Sequence, residues 1–215
     1  LHTAESGGAT PIADCRQVYN DLPDEIKDGC EEKGVLYVRN YGLVDLTWQE
    51  VFGTSDKEIV EQYCEKNNIE YCWGDGEKLS TREVRQSVIT HPLTKDKCWF
   101  NQAHLFHISA NSKSFQEELL EVFGEKNLPR NCYYGDGTPI SNEHLAVVRD
   151  VLINHQVRRE WHVGDMLLMD NMLCVHGREE FSGRRKVAVG MARECDGSEY
   201  RPGKQGFIPQ LLNTR

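Results

Sequence analysis

Toward the C-terminal end of the chain a histidine is followed closely by paired arginines. The stretch runs Cys174-Val175-His176-Gly177-Arg178 and then Phe181-Ser182-Gly183-Arg184-Arg185-Lys186. Imidazole is a good ligand for Fe(II), and a guanidinium fork matches a carboxylate through two parallel hydrogen bonds. A keto acid that chelates a metal at one end and carries a free carboxylate at the other needs both. Taken singly, each feature has a plainer reading: His176 as a hydrogen-bonded structural histidine, the arginine pair as solvated surface charge. Their joint occurrence favours the chemical reading. Strand side chains alternate in direction, so only one of Arg184 and Arg185 can point inward.

The elements that must position these residues are short. In the last third, residues 157–161, 166–169 and 187–191 read as strands, separated by the Gly164-Asp165 turn and by the polar pair Asp170-Asn171, which interrupts an otherwise apolar run. Helices are expected earlier. Asp24 and Glu25 after Pro23 suit the first turn of a helix running toward Gly34, and residues 35–39 read as a strand. Further helices are expected over 47–52, over 56–67 with Ser55 available as a cap, over 114–123, and over 142–154, where Leu145, Val148 and Leu152 recur at about one turn. Residues 85–90 and 98–101, joined through the His91-Pro92 turn, read as a hairpin. Many short strands with helices inserted early indicate a mainly β fold, a sandwich or jelly roll buttressed by helices. The chain of 215 residues is read as one domain, with a C-terminal extension from about residue 196.

Composition excludes other classes. A formal charge of -9, with no basic stripe interleaved with aromatics, opposes nucleic-acid binding. The longest apolar runs are far too short to span a bilayer. The eight cysteines stand singly, without a Cys-x-x-Cys pair, and read as reduced thiols of a cytoplasmic protein.

Several separated motifs now combine. In order they are Gly7-Gly8-Ala9-Thr10-Pro11-Ile12-Ala13-Asp14, Lys33-Gly34-Val35-Leu36-Tyr37-Val38-Arg39-Asn40-Tyr41, His91-Pro92, Trp99-Phe100-Asn101-Gln102, Tyr134-Gly135-Asp136-Gly137 and His176-Gly177-Arg178. Through nearly its whole length the chain resembles the taurine dioxygenase-like family of Fe(II)/2-oxoglutarate oxygenases, nearest the branch associated with nonribosomal-peptide and related small-molecule pathways. The resemblance implies a double-stranded β-helix, or jelly roll, and a 2-His-1-carboxylate iron site of which His176 is the distal histidine. It also implies that Arg185, with Arg184 as the neighbouring alternative, binds the far carboxylate of 2-oxoglutarate with help from the Thr10 hydroxyl. Asn101 and Arg178 are the candidates for contact with substrate.

The implied reaction uses O2, converts 2-oxoglutarate to succinate and CO2, and hydroxylates an unactivated C–H bond of a small molecule or carrier-tethered amino acid. Halogenation, or a binding module that keeps the barrel without iron, are the alternatives. The oligomeric state is not legible. The family's first histidine and its carboxylate come as His-x-Asp or His-x-Glu ahead of the Gly-Gly segment, and are expected outside the sequence that opens at Leu1. His2 and Glu5 have the wrong spacing to replace them, since on a strand they would face opposite ways. His104, His107 and His162 are expected in structural or surface roles. Cys174 shares the strand face of His176, where a thiol beside an oxidising iron would be vulnerable.

Overall fold

The computed structural model describes residues 2–42 and 44–192. In chain order the elements are β1 (Ser6–Gly7), β2 (Ile12–Asp14), α1 (Cys15–Asp21), α2 (Asp24–Lys33), β3 (Val35–Asn40), α3 (Trp48–Phe52), α4 (Lys57–Lys66), β4 (Glu70–Trp73) and β5 (Leu79–Arg85). There follow β6 (Val88–Thr90), β7 (Lys97–Trp99), α5 (Ala103–Phe106), α6 (Lys113–Phe123), β8 (Arg130–Tyr134), α7 (Asn142–Asn154), β9 (Cys174–His176) and β10 (Phe181–Ser182). The C-terminal extension expected from about residue 196 lies outside the described residues.

The largest sheet has the strand order β4-β5-β3-β8 and is antiparallel at every pairing, with Val35 opposite both Arg85 and Tyr134. Val35, Leu36 and Val38 are β-branched or apolar and buried, which suits a central strand covered on both faces. α2 starts behind Pro23, with Asp24 and Glu25 in its first turn, and ends at Gly34, whose φ of 69° suits a residue without a side chain. α3 opens on a capping box between Thr47 and Glu50. Asp56, not Ser55, caps α4, because its carboxylate accepts from the Glu58 N–H while sitting at the β-region N-cap.

The core that carries the site joins α1, α2 and α7 to the β6–β7 hairpin through Val18, Leu22, Ile26, Trp99, Val148 and Leu152. Each buried aliphatic side chain there contributes about 1.5–3 kcal/mol relative to exposure. A neighbouring cluster of Cys15, Ile89 and Cys98 packs against Met172, Leu173 and Val175, so the hairpin supports β9 directly.

The last third departs from expectation. Residues 166–169 and 187–191 form no strand, and Val157 makes only an isolated bridge to Ile12. Met166 and Leu168 are 92% and 93% exposed. Strand propensity describes how a side chain fits a pleated surface and says nothing of which strand satisfies the backbone. The ladders fall instead on Cys174–His176 and Phe181–Ser182, which pair with β2 and β1. Among the described residues the architecture is mixed α/β, with small sheets of which none closes on itself.

Candidate active site

Two chain segments far apart in sequence lie antiparallel in a single register. His2 stands opposite Lys186, Ser6 opposite Ser182, Gly7 opposite Phe181, Ile12 opposite His176 and Asp14 opposite Cys174. Between the two short ladders the backbone stays joined, by Gly8 N–H to Glu180 O at 2.9 Å, Glu179 N–H to Ala9 O at 3.1 Å and Gly177 N–H to Pro11 O at 3.0 Å. Continued through the backbone bonds between the ladders, this register sets Thr10 across from Arg178, two residues along from His176. On the far side of β2, Ile12 and Val157 exchange both backbone hydrogen bonds.

His176 is half-buried, and among the described residues its ring makes no hydrogen bond or ion pair. Other histidines differ: His91 meets Asp170, His107 meets Ser109, His155 meets Asp21 and His162 meets Asp165. The Thr10 hydroxyl accepts from the indole N–H of Trp161 at 2.8 Å. That bond fills one lone pair and leaves the hydroxyl proton for an acceptor such as a carboxylate.

Arg185 is half-buried while Arg184 is exposed, the order expected from strand alternation. The guanidinium groups of Arg185 and Arg178 lie 5.5 and 5.7 Å from the centroid of the Phe181 ring, within cation–π range. Gly8 makes room for this arrangement. A Cβ on Gly8 would stand 3.2 Å from Arg185 Cδ and 3.1 Å from Phe181 Cβ, and its φ of +73° is one that other residues resist. The bare backbone is therefore a cradle for the arginine stem, and a guanidinium together with a hydroxyl proton still to donate are groups that suit the far carboxylate of a keto acid. Iron is a different matter. A facial triad needs two donors besides His176, and among the described residues no group of three His, Cys, Asp or Glu side chains is placed to hold a metal.

Behind β9 lies a polar pair that the sequence reading did not single out. His91, 3% exposed, accepts the Thr94 N–H at Nδ1 (3.1 Å), so its Nε2–H donates to Asp170 Oδ2 at 3.1 Å. Asp170 opens the turn into β9: its Oδ1 accepts from Met172 N–H at 2.9 Å, and its carbonyl accepts from Leu173 and Cys174 N–H at 3.1 and 3.0 Å. Partial burial works against the ionised carboxyl, but the Met172 N–H and the His91 ring together hold it below its ordinary range.

The remaining candidates sit elsewhere or are engaged. Asn101 donates to Ser87 O and accepts the Ala103 N–H, so its amide ties the end of β7 to α5. His104 and His107 are buried around Arg149. His162 is exposed in the turn at Asp165. His2 and Glu5 lie on the paired segment, with Glu5 against Gly183. Burial pushes the Cys15 thiol to about 12 and raises that of Cys174, so both stay protonated beside the site. The seven cysteines among the described residues are all free.

The contacts of Trp161 with Thr10 and of His91 with Asp170 went unread because nothing local links the partners. Trp161 and Thr10 are separated by 151 positions and His91 and Asp170 by 79.

Comparison with known proteins bears on the family. Over 189 residues the chain is 40% identical to the dapdiamide synthesis protein DdaC of Enterobacter agglomerans, covering 87% of this chain and 57% of that protein. It is 27% identical over 199 residues to a clavaminate synthase-like protein of Arabidopsis thaliana, with the same coverages. Among solved structures, a candidate alpha-ketoglutarate dependent 2,4-D dioxygenase from Burkholderia xenovorans aligns with a TM-score of 0.45 and 16% identity, over 87% of this chain and 55% of that one. The chain thus spans little more than half the length of these relatives. No helix among the described residues is long and apolar enough to cross a membrane. The family described as taurine catabolism dioxygenase TauD, TfdA matches residues 1–191, and the chain belongs to it.

Proposed function

We propose that this chain supplies the 2-oxoglutarate-binding half of an Fe(II)/2-oxoglutarate-dependent oxygenase site, with His176 as one iron ligand. The observation that carries the reading is the placement of Thr10, His176 and Arg185 along one antiparallel pairing, with the ring of His176 unengaged among the described residues and the stem of Arg185 laid over Gly8. Arg185 anchors the far carboxylate by charge-assisted hydrogen bonds, and the Thr10 hydroxyl, oriented by Trp161, donates a further one. Arg178, across from Thr10 and over the Phe181 ring, is the residue we assign to contact with substrate or with a second carboxylate oxygen.

Bound iron would supply oxygen activation; these residues would fix where the keto acid lies and in which direction it enters. Among the described residues, the iron donors of this proposal come down to the one imidazole of His176. The jelly-roll barrel and the hydroxylation of a small or carrier-tethered substrate belong to the same proposal. The named role of the Enterobacter relative in dapdiamide synthesis supports a small-molecule pathway.

In the intact, full-length protein, anaerobic addition of Fe(II) and 2-oxoglutarate is expected to give the weak visible charge-transfer band of the chelate, and His176→Ala to abolish it. The absence of both a band and any saturable 2-oxoglutarate binding would overturn the proposal.

A further inference from the structure

One polar contact behind β9, between a buried ring and a half-exposed carboxylate, belongs to neither the keto-acid anchor nor the ladder that presents it. His91 is 3% exposed, and both of its ring nitrogens are committed, Nδ1 to the Thr94 N–H and Nε2 to Asp170. The imidazole is held in turn by its own loop, in which His91 N–H donates to Asp96 O at 2.8 Å and Lys95 N–H to His91 O at 2.9 Å. Asp170 receives that fixed N–H on one carboxylate oxygen. With its other oxygen and its carbonyl it collects three successive backbone donors, those of Met172, Leu173 and Cys174. The third of these is the first residue of β9, the strand that ends at His176.

Apolar packing alone would not set this strand along its axis. Met172, Leu173 and Val175 rest on the Cys15, Ile89 and Cys98 cluster, and such contacts tolerate small slides. A one-residue slip of β9 against β2 would turn His176 to the other face. The pinned turn opposes that slip, because Asp170 cannot move without breaking its part-buried bond to a buried ring that its own loop holds.

We propose that His91 and Asp170 are positioning residues: they lock the turn at 170–173 so that β9 pairs in the one register that presents His176 beside Thr10. This rests on the reading of His176 as a metal ligand only for its purpose; the register lock itself is a property of the backbone and is tested without metal. Asp170 is partly exposed at its side chain, so it can be replaced without opening the core.

Hydrogen exchange resolved by residue reads the lock. The Cys174 N–H, bonded to Asp170 O, and the Gly177 N–H, bonded to Pro11 O, report on β9; the Asn40 and Tyr41 N–H groups, bonded to Pro129 O and Leu79 O, report on the remote sheet. In Asp170→Ala and in His91→Phe, exchange at Cys174 and Gly177 is expected to rise about tenfold, the scale of losing one net intramolecular hydrogen bond. Asn40 and Tyr41 should stay unchanged, and His91→Gln, which keeps an N–H near Nε2, should recover most of the protection. Equal acceleration at all four amides, no acceleration at Cys174 and Gly177, or no difference between His91→Phe and His91→Gln would overturn the lock.

A second arm keeps the two proposals apart. Co(II) titrated into the unsubstituted protein should shift the His176 ring resonances, and in Asp170→Ala this shift should weaken. A missing Co(II) response with selective exchange intact would remove the ligand role of His176 and leave the lock standing. A normal Co(II) response in Asp170→Ala would remove the link between them.

Discussion

Lowering the pH from neutrality should destabilise this protein well before its carboxylates titrate, and the source is a pair of histidines away from the site. His104 and His107 are each 7% exposed, and burial, reinforced by the Arg149 charge, pulls both from 6.5 to about 4. Arg149 is fixed there by its bonds to His104 O at 3.0 Å and Ser109 Oγ at 2.5 Å, while His107 Nδ1 accepts the Ser109 N–H at 3.1 Å. Neither ring can take a proton without placing a second cation beside the guanidinium. Above 6.5 both histidines are neutral in the folded and unfolded chains alike, and stability is at its full value. Between 6.5 and about 4 the unfolded chain binds protons that the native state refuses, so stability falls as pH falls; below about 4 the loss levels off. Each group costs about 1.4 kcal/mol per pH unit inside that window, or roughly 3 kcal/mol in all, and the two together at most about 6 kcal/mol. That is a large share of the roughly 5–15 kcal/mol by which native proteins are stable. Asp14, Asp136 and Asp170, held below 3.8 by their partners, act only at lower pH and do not blur the window. Urea unfolding at about pH 7, 6 and 5 measures the slope, and His104→Gln should halve it. A flat stability profile over this range, or an unchanged slope in the variant, would refute the reasoning.

Three further predictions concern the site. Arg185→Ala should weaken 2-oxoglutarate binding by about two orders of magnitude, as expected for a lost charge-assisted pair, whereas the exposed Arg184→Ala should change it little in the same calorimetric titration. Gly8→Ala should cost about 1–2 kcal/mol in urea unfolding for its left-handed backbone and also weaken 2-oxoglutarate binding by displacing Arg185. The control is Gly53→Ala, at φ 65° with nothing within 4 Å, which should show the stability loss without the binding loss. Trp161→Phe removes the donor to Thr10 Oγ1 and should raise the 2-oxoglutarate dissociation constant several-fold, about the worth of one neutral hydrogen bond, while a stability loss alone would deny Trp161 any part in orienting that hydroxyl.

Much of the scaffold was legible because its signals are local. Pro23, Asp24, Glu25 and Gly34 bracket α2 by backbone and dipole chemistry, and the spacing of Leu145, Val148 and Leu152 marks α7. The motifs that carried the resemblance turn out to do different jobs. Gly135 lets the chain pass Lys33 O, where a Cβ would lie only 2.0 Å away, and Asp136 pairs with Lys33 at 2.8 Å, so that motif is a clasp between α2 and β8. Trp99-Phe100-Asn101-Gln102 ends in two amide contacts, Asn101 to Ser87 and the Gln102 N–H to the Tyr37 hydroxyl, which hold the hairpin to the central strand. A motif thus identifies a family without telling which of its residues meet the ligand.

The site itself was legible only as a list of parts. His176 and Arg185 were read from side-chain chemistry, but what sets their direction is backbone pairing with residues near the other end of the chain. Regular alternation would put Gly8 and Arg185 on opposite faces of that pairing; the positive φ values of Gly7, Gly8 and Gly183 break the alternation and bring the arginine stem over Gly8. A period-2 pattern cannot encode such a break, whereas glycines at those places can. The same reasoning explains why the apolar residues 166–169 failed as a strand while Cys174–His176 succeeded. Both have the composition, but only the second follows a turn locked by Asp170 and lies against an open edge of β2. In this molecule the placement of the candidate residues Thr10, His176 and Arg185 therefore owes more to two long-range polar contacts and three glycines than to strand propensity. Substitutions at those positions should disturb the site more than conservative changes along β9 itself.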